Sequence, residues 1–183
     1  MCLRSPAGHA VRPTLAKVRE AFFDILGRRI EDAVFLDLFA GTGAMGIEAL
    51  SRGARMVYFV ERSDPASTFL LKNLALIKED LLDNGSYTVM RMDAKRALVR
   101  LKESAARMDI AYVDPPYGDV HAYTGVLPSL IRSGIMTGDL LIGIEHTTHE
   151  KDAPGGTEEV LSEGLHSTVY RYGDKCLTVV RRW

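Results

Sequence analysis

The chain has 183 residues, 46% of them hydrophobic and 26% charged, with 24 acidic against 23 basic side chains and a net charge of −1. That length suits one domain with its own core, and the balance is not that of a protein held to nucleic acid by bulk charge alone. No apolar run approaches the roughly 20 residues of a membrane span, residues 1–12 hold no signal-peptide core, and the two cysteines, Cys2 and Cys176, form neither a disulfide framework nor a zinc signature, so a cytoplasmic location is expected.

Residues 1–13 read as an N-terminal arm and 14–183 as a single domain. Thr14 is placed to cap a helix reaching Gly27, with Leu15, Val18, Phe22, Ile25 and Leu26 at helical spacing. Residues 1–30 carry Arg4, Arg12, Lys17, Arg19, Arg28 and Arg29 against Glu20 and Asp24. That excess fits a phosphate-facing patch or an ordinary solvated helix face. Residues 34–39 read as a buried strand, 44–52 as a helix closed by Gly53, and 56–60 as a second strand. Asp64 is expected to cap a helix with Pro65 in its first turn, running to 78. A third strand (87–92), a helix (94–104) and a fourth strand (110–113) follow, then a helix (121–132) that Pro128 is expected to kink, and a fifth strand (140–145). Residues 147–165, with Pro154, Gly155, Gly156 and Gly164, read as a loop-rich connection. Runs 167–172 and 175–180, joined by Gly173-Asp174, form a hairpin. Apolar strands spaced by helices predict an α/β fold, a Rossmann-like and mostly parallel sheet covered on both faces and ending in an antiparallel pair.

The segment from Phe35 to Gly46 leaves a strand, turns on glycines and enters a helix. Ligands of open α/β sheets sit at the carboxyl ends of strands, where the strand order reverses. Gly41 to Gly46 matches G-x-G-x-x-G, and Glu61, twenty residues on, is placed to accept ribose hydroxyls. Asp37, read as lying beside the loop, separates two cofactors. Against the pyrophosphate of a dinucleotide it would repel by about 4 kcal/mol at 4 Å and an effective dielectric of 20. S-adenosylmethionine brings an ammonium and a sulfonium, which a carboxylate attracts. Asp93 follows the third strand, where it can reach an adenine amino group, cap the next helix, or both.

Asp114-Pro115-Pro116-Tyr117 ends the fourth strand. Residues before proline are driven to extended geometry, and prolines lack the N–H that would satisfy nearby carbonyls. A stiff set of acceptors results, with an aromatic face beside it. An exocyclic base amine is a poor nucleophile because its lone pair is conjugated. Two acceptors on its hydrogens draw that lone pair out of the ring plane, and orientation of this kind supplies about 7–11 kcal/mol of a barrier. Stacking on Tyr117 would hold a flipped or unpaired base.

Several stretches together resemble the bacterial 16S ribosomal RNA guanine-N2 methyltransferases of the small subunit. They are Arg12-Pro13-Thr14, Val18-Arg19-Glu20 with Phe23, Leu36 through Gly43 with Gly46 and Glu48 to Arg52, Lys72-Asn73-Leu74, and the Asp114 to Tyr117 tetrad. The tetrad alone is shared with DNA adenine and cytosine methyltransferases; the opening segment is more specific. The resemblance implies a seven-stranded class I methyltransferase sheet, S-adenosylmethionine as cofactor, and one guanine of 16S rRNA, free or in a small-subunit assembly intermediate, as target. It implies that Asp37, Phe39, Ala40, Gly41, Thr42, Gly43, Glu61 and Asp93 form the cofactor site. Asp114, Pro115 and Pro116 would hold the amine and Tyr117 would stack. Arg12, Thr14 and Arg19 would close over the cofactor or face RNA. Of the family's opening basic hairpin, only the following Leu3-Arg4-Ser5-Pro6 has a counterpart here.

Other readings stay open on sequence. They are a DNA or different RNA amino-methyltransferase acting on adenine N6 or cytosine N4, a nicotinamide-dependent oxidoreductase, and a non-catalytic cofactor-binding protein. Glu145-His146-Thr147-Thr148-His149-Glu150 invites a metal reading, but it lies where a strand leaves into a loop, which fixes no H-x-x-H geometry. No metal is expected.

Overall fold

The computed structural model describes residues 13–77, 86–116, 119, 122–148 and 164–182, the first three for their backbone alone. Arg12, Tyr117, His121 and most of the 147–165 connection lie outside the described residues.

Five parallel strands, β1 (Val34–Asp37), β2 (Met56–Val60), β3 (Tyr87–Met90), β4 (Met108–Val113) and β5 (Met136–Thr147), build most of the sheet. β7 (Lys175–Arg182) lies antiparallel between β5 and β6 (Leu165–Tyr172), giving the seven-stranded order β3-β2-β1-β4-β5-β7-β6. The expected closing hairpin forms: Tyr172 pairs with Lys175, and Gly173 takes φ 66° in the two-residue turn.

Alternation along each strand decides which helices it meets. Phe35 of β1 joins a core with Val18, Phe22 and Phe23 of α1 (Pro13–Leu26), Ile47 and Leu50 of α2 (Ala44–Ser51), and Leu70 and Leu74 of α3 (Asp64–Leu74). Its neighbour Leu36 faces the other way, toward Leu98 and Leu101 of α4 (Ala94–Glu103) and Leu127 and Leu130 of α5 (Leu127–Arg132). On the first face the Phe22 ring lies 4.9 Å from that of Tyr112 and 5.7 Å from that of Phe23. Buried aromatics of this kind carry much of a core's apolar area. No helix among the described residues is long and apolar enough to cross a membrane.

Several boundaries differ from the sequence reading. α1 begins at Pro13, with Thr14 inside its first turn; proline's fixed φ suits the first helical position. The cap of α3 is Ser63, whose hydroxyl accepts the Ala66 N–H at 3.4 Å, while Asp64 is the first helical residue and pairs with Arg91 at 2.7 Å. α3 ends at Leu74, not 78. β5 starts at Met136 rather than 140 because it pairs with Met108 before a bulge: the rungs jump from Met108↔Met136 to Ile110↔Leu141. Exposed Gly138 and Asp139 in that bulge look like loop in the sequence. Pro128 kinks nothing, since it sits in the first turn of α5, after a π-helical turn over Ala122–Val126.

α2 lies so close to β2 that a Cβ on Gly46 would stand 2.2 Å from Phe59 Cε1 and 2.8 Å from Val57 Cγ1. Gly46→Ala is therefore expected to destabilise the fold by about 1–3 kcal/mol, read as a lowered urea midpoint. An unchanged midpoint would mean that α2 can lift from the sheet without cost.

Candidate active site

The strand order reverses between β1 and β4. There the carboxyl ends of β1 to β5 open on a cavity of about 510 Å³, a size suited to a small-molecule ligand. Phe39 and Gly41 line it from the β1 loop, Glu61 from the end of β2, and Asp93 from the end of β3. Asp114, Pro115 and Pro116 line it from β4, and Glu145, His146 and Thr147 from β5, with Lys175 of β7.

The glycine loop is pinned by side chains from three directions. Glu61 accepts the Gly41 N–H at 2.8 Å through Oε2 and the Ser63 N–H at 2.6 Å through Oε1. Asn73, fully buried on α3, donates its amide to the Thr42 carbonyl at 2.9 Å. From beneath, Asp37 Oδ2 accepts the Gly46 N–H at 3.0 Å. Gly43 closes the turn at φ 87°, a left-handed conformation that favours glycine.

Asp37 lies at the end of β1 beside the loop, as the sequence reading put it, but it faces away from the cavity. It is 3% exposed and does not line the cavity. Strand alternation turns residue 37 to the same side as Phe35, toward α2. Burial pushes its carboxyl up to about 7, against the pull of the Gly46 hydrogen bond and with a further push from the Glu61 charge. The negative charge of the cavity comes instead from Glu61, Asp93, Asp114 and Glu145, which outnumber the lining cations Arg62 and Lys175. Such a cavity attracts a cation and repels a phosphate.

Asp93 serves two ends. Its Oδ1 accepts the Lys95 N–H at 2.9 Å and caps α4, and it also lines the cavity. The diproline segment follows β4, with Pro115 buried and Asp114 partly exposed. The Pro116 carbonyl accepts the Asp119 N–H at 3.0 Å, and the Asp119 carbonyl accepts the Ala122 N–H at 3.0 Å.

Sequence reasoning missed a polar cluster at the β5 end. Tyr112 donates its hydroxyl to Glu145 Oε2 at 2.9 Å, and Lys175 Nζ lies 3.1 Å from Glu145 Oε1. The Tyr123 hydroxyl reaches the Glu145 carbonyl at 3.0 Å. Burial, and then the Glu145 charge, push the Tyr112 hydroxyl well above the usual phenol value, so it stays a donor. The available signal was a glutamate closing the apolar run 140–144, the same pattern that marked Glu61. His146 Nε2 lies 2.9 Å from Thr178 Oγ1. Among the described residues no group of three or more potential ligands is placed to hold a metal.

Of the remaining expected residues, Ala40, Thr42 and Gly43 frame the loop without lining the cavity. Arg19 lies 3.9 Å from Glu48, tying α1 to α2. Arg12 and Tyr117 lie outside the described residues.

A family profile described as conserved hypothetical protein 95 matches residues 2–173. YlbH of Bacillus subtilis, provisionally described as an rRNA methyltransferase, is 38% identical over 115 residues, which is 63% of this chain and 60% of that one. Ribosomal RNA small subunit methyltransferase D of Escherichia coli strain K12 is 38% identical over 112 residues, 61% of this chain and 52% of that one. The matched segment thus spans between half and two thirds of these curated relatives. The solved structure of yhhF from Escherichia coli, provisionally described as a methyltransferase, superposes with a TM-score of 0.73 at 29% identity, covering 98% of this chain and 91% of that one.

The buried Asp37 gives the fold a pH signature. Its carboxyl is raised in the folded state, so it stabilises the fold at low pH relative to high pH, and that contribution is lost as pH rises from about 4 to about 7. Asp37→Asn keeps an acceptor for Gly46 and removes the titration. Its stability relative to the unsubstituted chain is expected to climb through that window by up to about 1.4 kcal/mol per pH unit. Parallel urea-unfolding profiles for the two proteins would mean that Asp37 is ionised throughout.

Proposed function

Because the chain belongs to the conserved hypothetical protein 95 family, we propose that it is an S-adenosylmethionine-dependent methyltransferase acting on the exocyclic N2 amine of a guanine in small-subunit ribosomal RNA. Its substrate is 16S rRNA, free or in a small-subunit assembly intermediate. The observation that carries this reading is that Asp114 and Pro115 open on the same cavity as Glu61 and Asp93. A donor site and an amine-holding ledge in one cavity are what a direct transfer requires. The name of the Escherichia coli relative supports the choice of small-subunit rRNA, and the resemblance around the Asp114 to Tyr117 tetrad supports an amine as acceptor.

The residues present fit the cofactor. Four lining carboxylates, Glu61, Asp93, Asp114 and Glu145, suit a ligand carrying positive charge, and they count against a dinucleotide with its anionic pyrophosphate. S-adenosylmethionine, when bound, supplies a methyl group on a positively charged sulfur. Phe39, Gly41, Glu61 and Asp93 would hold it, with Asp37, Ala40, Thr42 and Gly43 fixing the loop behind them. Glu61 already uses one lone pair on each oxygen for Gly41 and Ser63; a carboxylate has about four acceptor sites, which leaves capacity for ribose hydroxyls.

Asp114 and the Pro115 carbonyl would accept the two amine hydrogens, since the Pro116 carbonyl is committed to Asp119. Held there, the nitrogen lone pair would be turned out of the ring plane and toward the methyl group that the cofactor would supply. The proton that the alkylated nitrogen sheds leaves through Asp114 or water. Tyr117 would stack on the base. Arg12 and Thr14 stay assigned to the RNA or the closing cofactor site, and Arg19 would act there through its hold on α2.

S-adenosylhomocysteine is expected to raise the melting temperature while NAD(H) leaves it unchanged. With labelled donor and unmodified small subunits or naked 16S RNA, one guanine should take up label. Asp114→Ala should keep S-adenosylhomocysteine binding and lower transfer by about 100-fold or more. Label on DNA adenines with none on RNA would replace this reading with a DNA amino-methyltransferase, and stabilisation by NAD(H) alone would replace it with an oxidoreductase.

A further inference from the structure

Beyond its charge, Glu145 has no part in the chemistry above, yet its side chain is only 4% exposed in a cavity wall. A buried ion pair adds little to stability compared with apolar residues of the same shape, so its presence asks for another explanation. Glu145 Oε2 accepts the Tyr112 hydroxyl at 2.9 Å, and Oε1, which accepts no hydrogen bond among the described residues, lies within ion-pair range of Lys175 Nζ at 3.1 Å. The Tyr123 hydroxyl fixes the same residue's carbonyl at 3.0 Å. Glu145 is thus held still, and it holds the Lys175 ammonium, itself 22% exposed, at the cavity wall.

Register relates this pair to the ledge. Val113 of β4 pairs with Ile144 of β5, so Asp114 and Glu145 are the next residues on neighbouring strands. Neighbouring strands lie about 4.8 Å apart. Lys175 comes from β7, on the far side of β5, and reaches back over Glu145. A planar base whose amine sits at Asp114 and whose edge runs across the sheet would bring its far end to Lys175. Guanine has its O6 carbonyl there, on the same edge as the N2 amine. An adenine held by its N6 amine has a C–H there instead.

We propose that Lys175, positioned by Glu145 and Tyr112, is the specificity-determining residue that donates to the O6 of the target purine. The inference rests on the guanine-N2 reading and adds to it a subsite for the opposite end of the base. It assigns Glu145 and Tyr112 as positioning residues, acting through Lys175.

The test uses 2-aminopurine, which keeps the N2 amine of guanine and lacks O6. Small-subunit RNA is prepared with either guanine or 2-aminopurine at the mapped target, and kcat/KM is measured for the unsubstituted protein and for a Glu145→Gln/Lys175→Met double variant, which removes both charges together. The unsubstituted protein should prefer guanine by about 10- to 100-fold, the range of one hydrogen bond to a charged group. In the double variant that preference should collapse to within about threefold, by loss on guanine alone, and Lys175→Arg should restore part of it. Equal rates on the two RNAs with the unsubstituted protein overturn the inference without any variant being needed. A double variant slowed equally on both RNAs makes the pair structural and overturns it too. If the unsubstituted protein methylates RNA elsewhere than at a guanine amine, the guanine-N2 reading itself fails, and the O6 subsite falls with it.

Discussion

One hydrogen bond under the first loop sets the geometry on which the rest depends: the Asp37 carboxylate accepting the Gly46 N–H at 3.0 Å. It fixes the first turn of α2 to the end of β1, and the glycine loop is the short span between them. Gly46 makes the contact possible twice over. It supplies the N–H, and its lack of a side chain lets α2 rest on Phe59 and Val57. A carboxylate buried this deeply is costly to ionise, and the raised pKa shows it. Burial of an acid for one backbone contact makes sense where the position of the loop matters more than the stability of the fold.

The same device recurs around the loop. Glu61 and Asn73 reach it from β2 and α3, so that three elements with separate places in the core agree on one loop conformation. Preorganisation of this kind means that a ligand arriving at Gly41 meets backbone already held in place and does not have to order it. Farther along the sheet edge, Tyr112 and Tyr123 do for Glu145 what Asn73 does for Thr42: a neutral donor on a rigid element fixes an acceptor at the rim.

Much of this was legible in the sequence, because strand ends are. The apolar runs stop at Glu61, Asp93, Asp114 and Glu145, with Asp37 set near the end of the first, and a parallel sheet brings such stops to one edge. What the sequence did not reveal is which way each acid turns once there. Asp37 and Glu61 look alike in the one-dimensional pattern, yet one faces α2 and the other the cavity. That difference arises from side-chain alternation relative to a loop whose path is set by contacts remote in sequence. Ser63 and Asp64 posed a similar problem. Both residue types cap helices well, and Arg91, 27 residues away, draws Asp64 into an ion pair while Ser63 takes the cap. The early start of β5 was hidden by Gly138 and Asp139, residue types that favour turns and here lie in the irregular stretch between the Met108 and Ile110 rungs. Asn73 belonged to a recognised stretch but had no assigned task. Its signal was a polar residue three positions after Leu70 on a buried helix face, where a lone amide needs a partner.

The distribution of charge along the edge then bears on how two substrates of opposite sign share it. The β1-to-β3 end offers Glu61 and Asp93, which suit a cation. The β5-to-β7 end offers Lys175 beside Glu145, a pair without net charge. A polyanion approaching the whole edge would be repelled by the acids at one end and tolerated at the other, so electrostatics alone orients the encounter. Asp114 lies between the two ends. The reversal of strand order between β1 and β4 puts it there: β1 with its loop lies on one side of β4 and β5 with its polar pair on the other. The chemistry of the edge is therefore ordered by the topology of the sheet.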